Sequence, residues 1–409
     1  MVQFFSKPVW PKPVWPIQLM TPLMAGLALA LLAPCGSACL AQPAQKTPEA
    51  VQASDTAAQK SASDKSTKPS IDESKLVRSI YELTKTTKTA KQLTDFVAKC
   101  DSALQHNLNS KNSQYVSSLK GWALNLRGQK RMATGLQLKK VGNSQSDSII
   151  KQAMADFDEA IVNAPERYRS WMSRGNALAQ TGNFKDAALN FTEVIKLKTD
   201  LADGWFNRAE SLYHLKEFKA AISDYETVLR LNSDDAQALT GLGHSKLALG
   251  KYEEALADYQ AVVKLQPQSP IAYVNVGDAF QETGNWNSAQ QYFEKSIAIK
   301  PTGVAMQRAA WLKATCPETP IRDPQQAINL ANRAISLTGH SVINLDTLAA
   351  AQAAAGEFEG AKTTQRKTIA LASSIEAPAE TGENQYKARL ALYQEQKPFT
   401  LATEPKSSP

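Results

Sequence analysis

The chain has 409 residues, of which 43% are hydrophobic and 21% charged, so most of it can bury a core and wholesale disorder is excluded. It contains one strongly apolar stretch, which excludes a protein with several membrane spans. Its 19 Gly, 20 Pro and four Cys exclude collagen-like chains and disulfide-rich scaffolds.

The net charge of +7 is concentrated near the N-terminus. Residues 71–150 carry 13 Lys and Arg against six Asp and Glu, whereas residues 151–409 carry 27 against 30. Because no compact part of the chain is strongly basic, the composition does not indicate a nucleic-acid partner.

Residues 1–41 have the pattern of a secretory signal peptide. Lys7 and Lys12 precede an apolar run at 23–33, which is too short for a membrane-spanning helix of about 20 residues. Small residues follow the run, and we expect cleavage after Ala41. The protein is therefore expected to be exported to the periplasm or the extracellular space. The alternative is a membrane-anchored envelope assembly component, held by an uncleaved or lipidated signal segment.

Residues 42–70 are mainly Ala, Gln, Ser, Thr, Lys and Pro and contain no aromatic residue, which predicts a disordered linker. The mature chain would keep two cysteines, Cys100 and Cys316. They are so far apart in an elongated fold that a disulfide between them is not expected. Cys100 lies among apolar residues and is predicted to be a small buried side chain.

A 34-residue period organises the middle of the chain. Four series of similar residues repeat at this spacing: Trp171, Trp205, Leu239 and Tyr273; Phe184, Phe218, Tyr252 and Trp286; Ala187, Ala221, Ala255 and Ala289; and Phe191, Tyr225, Tyr259 and Phe293. Within each unit the apolar residues follow a helical spacing, and a short turn, which in three of the four units contains Gly, separates two helices. Each unit is therefore predicted to be a helix–turn–helix pair that buries its apolar face by stacking on its neighbours.

These units resemble the tetratricopeptide repeat (TPR) family. The third unit carries Leu242-Gly243, Tyr252, Ala255, Tyr259 and Pro267 at the family's characteristic positions. The first two units depart from it by placing Arg174 and Arg208 where Leu is usual, and Arg208 is expected to pair with Asp224. The resemblance, to an exported bacterial member of the family, implies an all-α fold that forms an α-solenoid with a right-handed superhelix.

The predicted organisation extends beyond the four clear repeats. A first helix around 115–131 is expected to be followed by an insert near 134–147, and Cys100 falls in a further helical pattern at 73–108. The predicted domains are a signal at 1–41, a linker at 42–70, degenerate helices at 71–133, a TPR array at 134–301 with clear repeats at 168–201, 202–235, 236–269 and 270–303, degenerate repeats at 304–375, a polar capping helix at 376–398 and a disordered tail at 399–409.

No motif in the sequence indicates an enzyme. The segment Gly241–Lys246 resembles a phosphate-binding loop, but it lies inside a predicted helix and follows no strand. The four His lack the spacing of metal ligands along one helix, and no Ser or Cys has a recognisable nucleophile signature. We therefore expect no catalytic residue, metal or cofactor. An enzyme whose site assembles between repeats is the weaker alternative.

The basic stretch from Lys120 to Lys140 has two interpretations. It could hold phosphates or anionic lipid, or it could be an ordinary solvated helix face.

The TPR resemblance implies that the first helix of each unit lines a concave groove that binds a peptide or protein segment. The candidate groove residues are Arg169, Asn176, Asp203, Phe206, Asn207, Glu210, Tyr213, His214, His244, Asn275 and Asp278. In family members that clamp carboxylates, Lys and Arg join two Asn on this surface, but here Met172, Gln237 and Gly241 replace the cations. The predicted function is a non-enzymatic interaction scaffold for a mixed-charge protein segment.

Overall fold

The computed structural model describes residues 72–374 and 383–401. All regular structure in these residues is helical, in 17 helices, which confirms the all-α prediction. None of the described helices is both long enough and apolar enough to cross a membrane. The predicted signal and linker lie outside the described residues, as do the last eight residues.

The described residues form two compact units, which meet in sequence between Thr181 and Gly182, inside the predicted repeat at 168–201. The helices of the N-terminal unit are α1 (Glu73–Thr84), α2 (Ala90–Leu104), α3 (Ser110–Lys140), α4 (Ser146–Asn163) and α5 (Tyr168–Gln180).

Helix α3 differs from the sequence prediction. It continues to Lys140, so the predicted insert near 134–147 is wrong: its first half is helix, and only a short turn separates α3 from α4. The reason is close packing between the two helices. Gly135 lies against α4, where an added Cβ would come within 2.6 Å of Ile150, and Met132 is also buried. This contact lets the last turns of α3 bury apolar surface.

The C-terminal unit contains helices at regular spacing. They are α6 (Phe184–Leu197), α7 (Ala202–His214), α8 (Phe218–Leu231), α9 (Ala236–Ala248), α10 (Tyr252–Leu265), α11 (Pro270–Glu282), α12 (Trp286–Ile299), α13 (Gly303–Thr315), α14 (Pro324–Thr338), α15 (Val342–Ala354), α16 (Phe358–Ser374) and α17 (Glu383–Gln394). The residues of the 34-residue period form the core of the unit: Ala221, Tyr225, Ala289 and Phe293 are completely buried. Burial of these side chains between stacked helix pairs is what makes the unit a solenoid.

The odd-numbered helices α7, α9, α11, α13 and α15 are the first helices of their pairs. Neighbouring first helices pack directly on each other, as α7 does with α9, α11 with α13 and α13 with α15. Neighbouring second helices of this unit show no comparable packing. The first helices are therefore closer together and lie on the inner side of the stack.

The end of the described chain also differs from the prediction. Residues 399–401 belong to the predicted disordered tail, yet the backbone N–H of Leu401 donates a hydrogen bond of 2.8 Å to the carbonyl of Thr315. The ring of Phe399 lies 5.8 Å from that of Trp311, between centroids. Helix α17, predicted as a polar cap, buries Tyr393 completely. The prediction of disorder is wrong for residues 399–401, because these apolar side chains find partners far away in sequence.

Both described cysteines are buried free thiols. Cys100 is completely buried, as predicted, and burial raises its pKa to about 12. Burial also raises the pKa of Cys316. Neither thiol is therefore ionised near neutral pH.

Candidate protein-binding face

The structure distributes the eleven predicted residues over both units. Arg169 and Asn176 lie on α5 in the N-terminal unit, and the other nine lie in the C-terminal unit. Asn275 is only 8% exposed and offers almost no surface to a partner. The remaining eight lie on α7, α9 and α11 and are called the open face: Asp203, Phe206, Asn207, Glu210, Tyr213, His214, His244 and Asp278.

Three residues of the open face occupy the same position in successive repeats. Glu210, His244 and Asp278 are spaced 34 residues apart, one on each first helix. The Tyr225 hydroxyl donates a hydrogen bond to Glu210. His244 Nδ1 lies 2.6 Å from the Tyr259 hydroxyl. Glu210 and His244 are thus each oriented by a tyrosine of the second helix in their own repeat.

Asp278 has no such tyrosine, since its repeat has Phe293 at the equivalent position. Asp278 is held instead by Arg308 of α13, the first helix of the following repeat, whose Nε lies 3.0 Å from Asp278 Oδ1. Sequence reasoning missed these pairings, although the recurrence of a Tyr 15 residues after Glu210 and after His244 was a usable signal.

Two glycines make room for the tyrosines. A Cβ added at Gly241 would come within 2.6 Å of the Tyr225 ring, and one at Gly243 within 2.5 Å of the Tyr259 ring. Both glycines are in α9, so the segment that resembles a phosphate-binding loop is a helix that packs against aromatic rings. The close approach lets each hydroxyl reach through to the open face.

Burial sets the protonation of these groups. It lowers the pKa of His244 to about 4, so the imidazole is neutral at pH 7. It raises the pKa of Glu210, an effect that the hydrogen bond from Tyr225 opposes. It also raises the pKa of Asp278 against the lowering effect of the Arg308 guanidinium. Desolvation, rather than a neighbouring charge, is the main cause in each case.

The aromatic rings of the open face are held in place by neighbouring rings. Phe206 packs edge-on to Tyr225 at 5.9 Å between centroids, and Tyr213 to Phe218 at 5.4 Å. The His214 imidazole stacks on Phe184 at 4.1 Å. Rings fixed in this way lose little freedom when a partner covers them, which favours binding.

The open face is acidic. Within α7, α9 and α11, the only Lys or Arg are Arg208 and Lys246, and both bind acids of their own repeats. Arg208 makes two hydrogen bonds to Asp224, at 2.7 and 2.8 Å, which confirms the predicted structural pair. Lys246 lies 2.8 Å from Asp258. Both cations are therefore engaged elsewhere, leaving Arg308 of α13 as the cation beside the open-face carboxylates.

Three of the six basic residues in the stretch from Lys120 to Lys140 of α3 are engaged in ion pairs. Lys120 lies 2.6 Å from both Asp101 and Glu159. Arg127 and Arg131 each lie 2.6 Å from Asp156. These pairs favour the interpretation of a structural helix face over that of a lipid or phosphate site. Among the described residues no group of three or more His, Cys, Asp or Glu could hold a metal ion.

The geometry defines the class of this protein as an α-solenoid of helix–turn–helix repeats. Sequence profiles of the tetratricopeptide repeat match at residues 150–202, 202–235 and 271–302, and a TPR repeat profile matches at 243–284. Residues 150–302 of this chain are therefore an array of tetratricopeptide repeats. Tetratricopeptide arrays present extended surfaces to other proteins, and this chain is a protein–protein interaction scaffold.

Several solved structures are similar in fold. MamA from Desulfovibrio magneticus RS-1 is 19% identical, with 42% of this chain and 94% of that chain covered and a TM-score of 0.37. YrrB, described as a TPR protein with an unusual peptide-binding site, is 21% identical, with 43% and 88% covered and a TM-score of 0.36. Yeast Tom70 is 14% identical, with 80% and 65% covered and a TM-score of 0.46. No curated protein sequence matches the chain.

Proposed function

We propose that this protein is an exported, non-enzymatic scaffold that binds a protein segment on the open face of α7, α9 and α11. The observation that carries the proposal is the set of oriented rings and carboxylates on the inner side of the repeats. Tyr225 and Tyr259 hold Glu210 and His244 in place before any partner arrives. Preorganised groups of this kind reduce the entropic cost of binding.

The charges of the open face select the partner. Asp203 is exposed, Glu210 and Asp278 are partly exposed, and His244 is neutral at pH 7. A segment that carries Lys or Arg complements these carboxylates, and its apolar or methylene groups can cover Phe206 and Tyr213. We therefore propose that the mixed-charge partner presents a basic segment to the open face.

The test is affinity capture from an envelope extract with the full chain as bait, beside a variant carrying Phe206→Ala, Asn207→Ala and Tyr213→Ala. A control variant carries Lys219→Ala and Leu231→Ala, two exposed positions on the second helix α8. Circular dichroism checks that helicity is unchanged. A protein retained by the unchanged chain and by the control, but lost by the open-face variant, supports the proposal.

Equal capture by all three chains would place the binding surface elsewhere and overturn the proposal. The contribution of the open-face charges to binding is measured separately. An Asp203→Lys substitution should weaken capture, and salt should weaken capture by the unchanged chain more than by this variant.

Export is part of the proposal and rests on the signal pattern of residues 1–41. N-terminal sequencing of the protein isolated from cells tests it, and we expect a mature chain that begins at Gln42. An intact N-terminus together with partition into detergent would instead favour the membrane-anchored alternative.

A further inference from the structure

The chain covers part of its own inner side. Residues Pro398–Leu401, called the strap, follow α17 and run across the first helices α13 and α15. Phe399 packs against Trp311 of α13 and against a cluster that comprises Ala349 and Ala353 of α15, Ala361 of α16 and Tyr393 of α17. Leu401 reaches the hydrophobic cluster of α13 and donates its backbone N–H to the carbonyl of Thr315 at 2.8 Å.

The strap makes the contacts that a bound peptide would make. An extended segment places one aromatic and one aliphatic side chain, two residues apart, on the inner side of two stacked helices. A backbone hydrogen bond fixes the position of the segment. Pro398, before the aromatic residue, and Thr400, between the two anchoring side chains, are exposed. Alternate side chains in contact, with a main-chain hydrogen bond, are the usual features of recognition of an extended peptide.

The strap is held much less firmly than α17. Arg389 of α17 makes two hydrogen bonds to the buried Asp346 of α15, at 2.9 and 2.8 Å, and Tyr393 is completely buried. In the strap, by contrast, Phe399 and Leu401 are only half-buried. Two half-buried side chains and one hydrogen bond are opposed by the entropy of ordering the segment. Detaching the strap should therefore cost less free energy than detaching α17.

The strap contacts α13, the first helix that follows the open face. The Arg308–Asp278 ion pair joins α13 to α11, and Leu401 packs against a hydrophobic cluster that includes Val274 of α11. A partner segment that lies along the first helices from α7 towards α13 would meet the strap at this point.

We propose that the inner side of α13 and α15 is a second peptide-binding site, specific for an extended segment with an aromatic and an aliphatic residue two positions apart. The strap is its occupant within the chain. A partner protein with this pattern takes the site by displacing the strap, and its aromatic residue packs against Trp311 and the cluster of Ala349, Ala353, Ala361 and Tyr393.

The experiment uses a fluorescein-labelled, amidated peptide with the sequence of residues 395–401, Glu-Gln-Lys-Pro-Phe-Thr-Leu. Its fluorescence anisotropy is titrated with the full chain and with a full-chain Phe399→Ala, Leu401→Ala variant, whose strap no longer occupies the site. The matched control is a Thr400→Ala chain, since Thr400 is exposed between the two anchors. We expect the double variant to bind the peptide at least about tenfold more tightly than the unchanged chain and the control.

A variant peptide and a further variant chain test the specificity of binding. A peptide with Phe399→Ala should lose binding to the double variant, and so should the labelled peptide when Trp311→Ala is added to that variant. Circular dichroism confirms that α17 and the repeats remain folded. Equal binding by the unchanged chain and the double variant, or no binding by either at peptide concentrations up to about 1 mM, overturns the proposal. The open-face substitutions should not affect this peptide, so failure of one proposed site is distinguishable from failure of the other.

Discussion

Two regions of the C-terminal unit are built from the same helix-pair repeat, but the inner side is exposed in one and covered in the other. On α7, α9 and α11 the inner side is partly exposed and lined by rings and carboxylates. On α13 and α15 the inner side is closed by α17 and the strap, and Asp346, Thr347 and Thr315 are buried. The comparison shows that the repeat alone does not decide whether a surface is available. What packs across the first helices decides it.

The largest expected effect is in the closed region. Asp346→Ala leaves the Arg389 guanidinium buried without its partner, and we expect a loss of about 3–5 kcal/mol in the free energy of unfolding. Urea unfolding followed by circular dichroism measures it. Lys397→Ala, which removes an exposed ion pair with Glu395, is the control and should leave stability almost unchanged, because solvent screens such a pair. Equal, small effects would show that α17 is not anchored by this pair.

The next effect concerns pH and the open region. The pKa of His244 is about 4 in the folded chain and near 6.5 in the unfolded one, so the unfolded state binds more protons between these values. Stability from the neutral imidazole is present above pH 6.5 and falls as the pH decreases towards 4, by up to about 3 kcal/mol. A His244→Gln chain should lose less stability over this range. Parallel curves from urea unfolding at several pH values would contradict the assignment.

A smaller effect tests the glycine contacts of the open region. Gly241→Ala forces a methyl group into the Tyr225 ring, and we expect destabilisation by about 1–3 kcal/mol. Gly360→Ala in α16 is the matched control, because the nearest atom there is the end of the long Gln352 side chain, at 3.1 Å, rather than an aromatic ring. The control should be neutral or stabilising by up to about 1 kcal/mol, as for other helical glycines. Thermal unfolding of both variants measures the difference.

The smallest effect lies at the turn between α7 and α8. Equivalent turns have Gly182, Gly250 and Gly284 with positive φ, but this repeat has Lys216 at φ 62°. A side chain in that conformation costs about 1 kcal/mol, so Lys216→Gly should raise stability by up to that amount. Lys219→Gly within α8 is the control and should lower stability by about 1 kcal/mol. A loss at position 216 would mean that the Lys216 side chain makes a compensating contact.

Much of the repeat structure was predictable from the sequence because its determinants are local. Helices α7, α9 and α11 begin at Ala202, Ala236 and Pro270, which are the first residues of three predicted repeats. The apolar pattern, the turn glycines and the crossing alanines all act within a single 34-residue unit. The Arg208–Asp224 pair was predictable for the same reason.

The candidate site was predictable only in outline. The first-helix positions were identified, but the burial of Asn275 was not. The length of α3 was misjudged because its last turns are stabilised by packing of Gly135 against Ile150 of α4, a tertiary contact that no local pattern announces.

The sequence by itself determined the repeat, its period and the helices that line the inner side, because each repeat buries its core against its immediate neighbours. The tertiary structure alone decided which part of that inner side is open. Arg389 binds Asp346, which lies 43 residues earlier in the sequence, and Phe399 packs against Trp311, which is separated from it by a longer stretch of chain. No periodic pattern encodes such pairings, because they depend on where the chain returns after its last repeat.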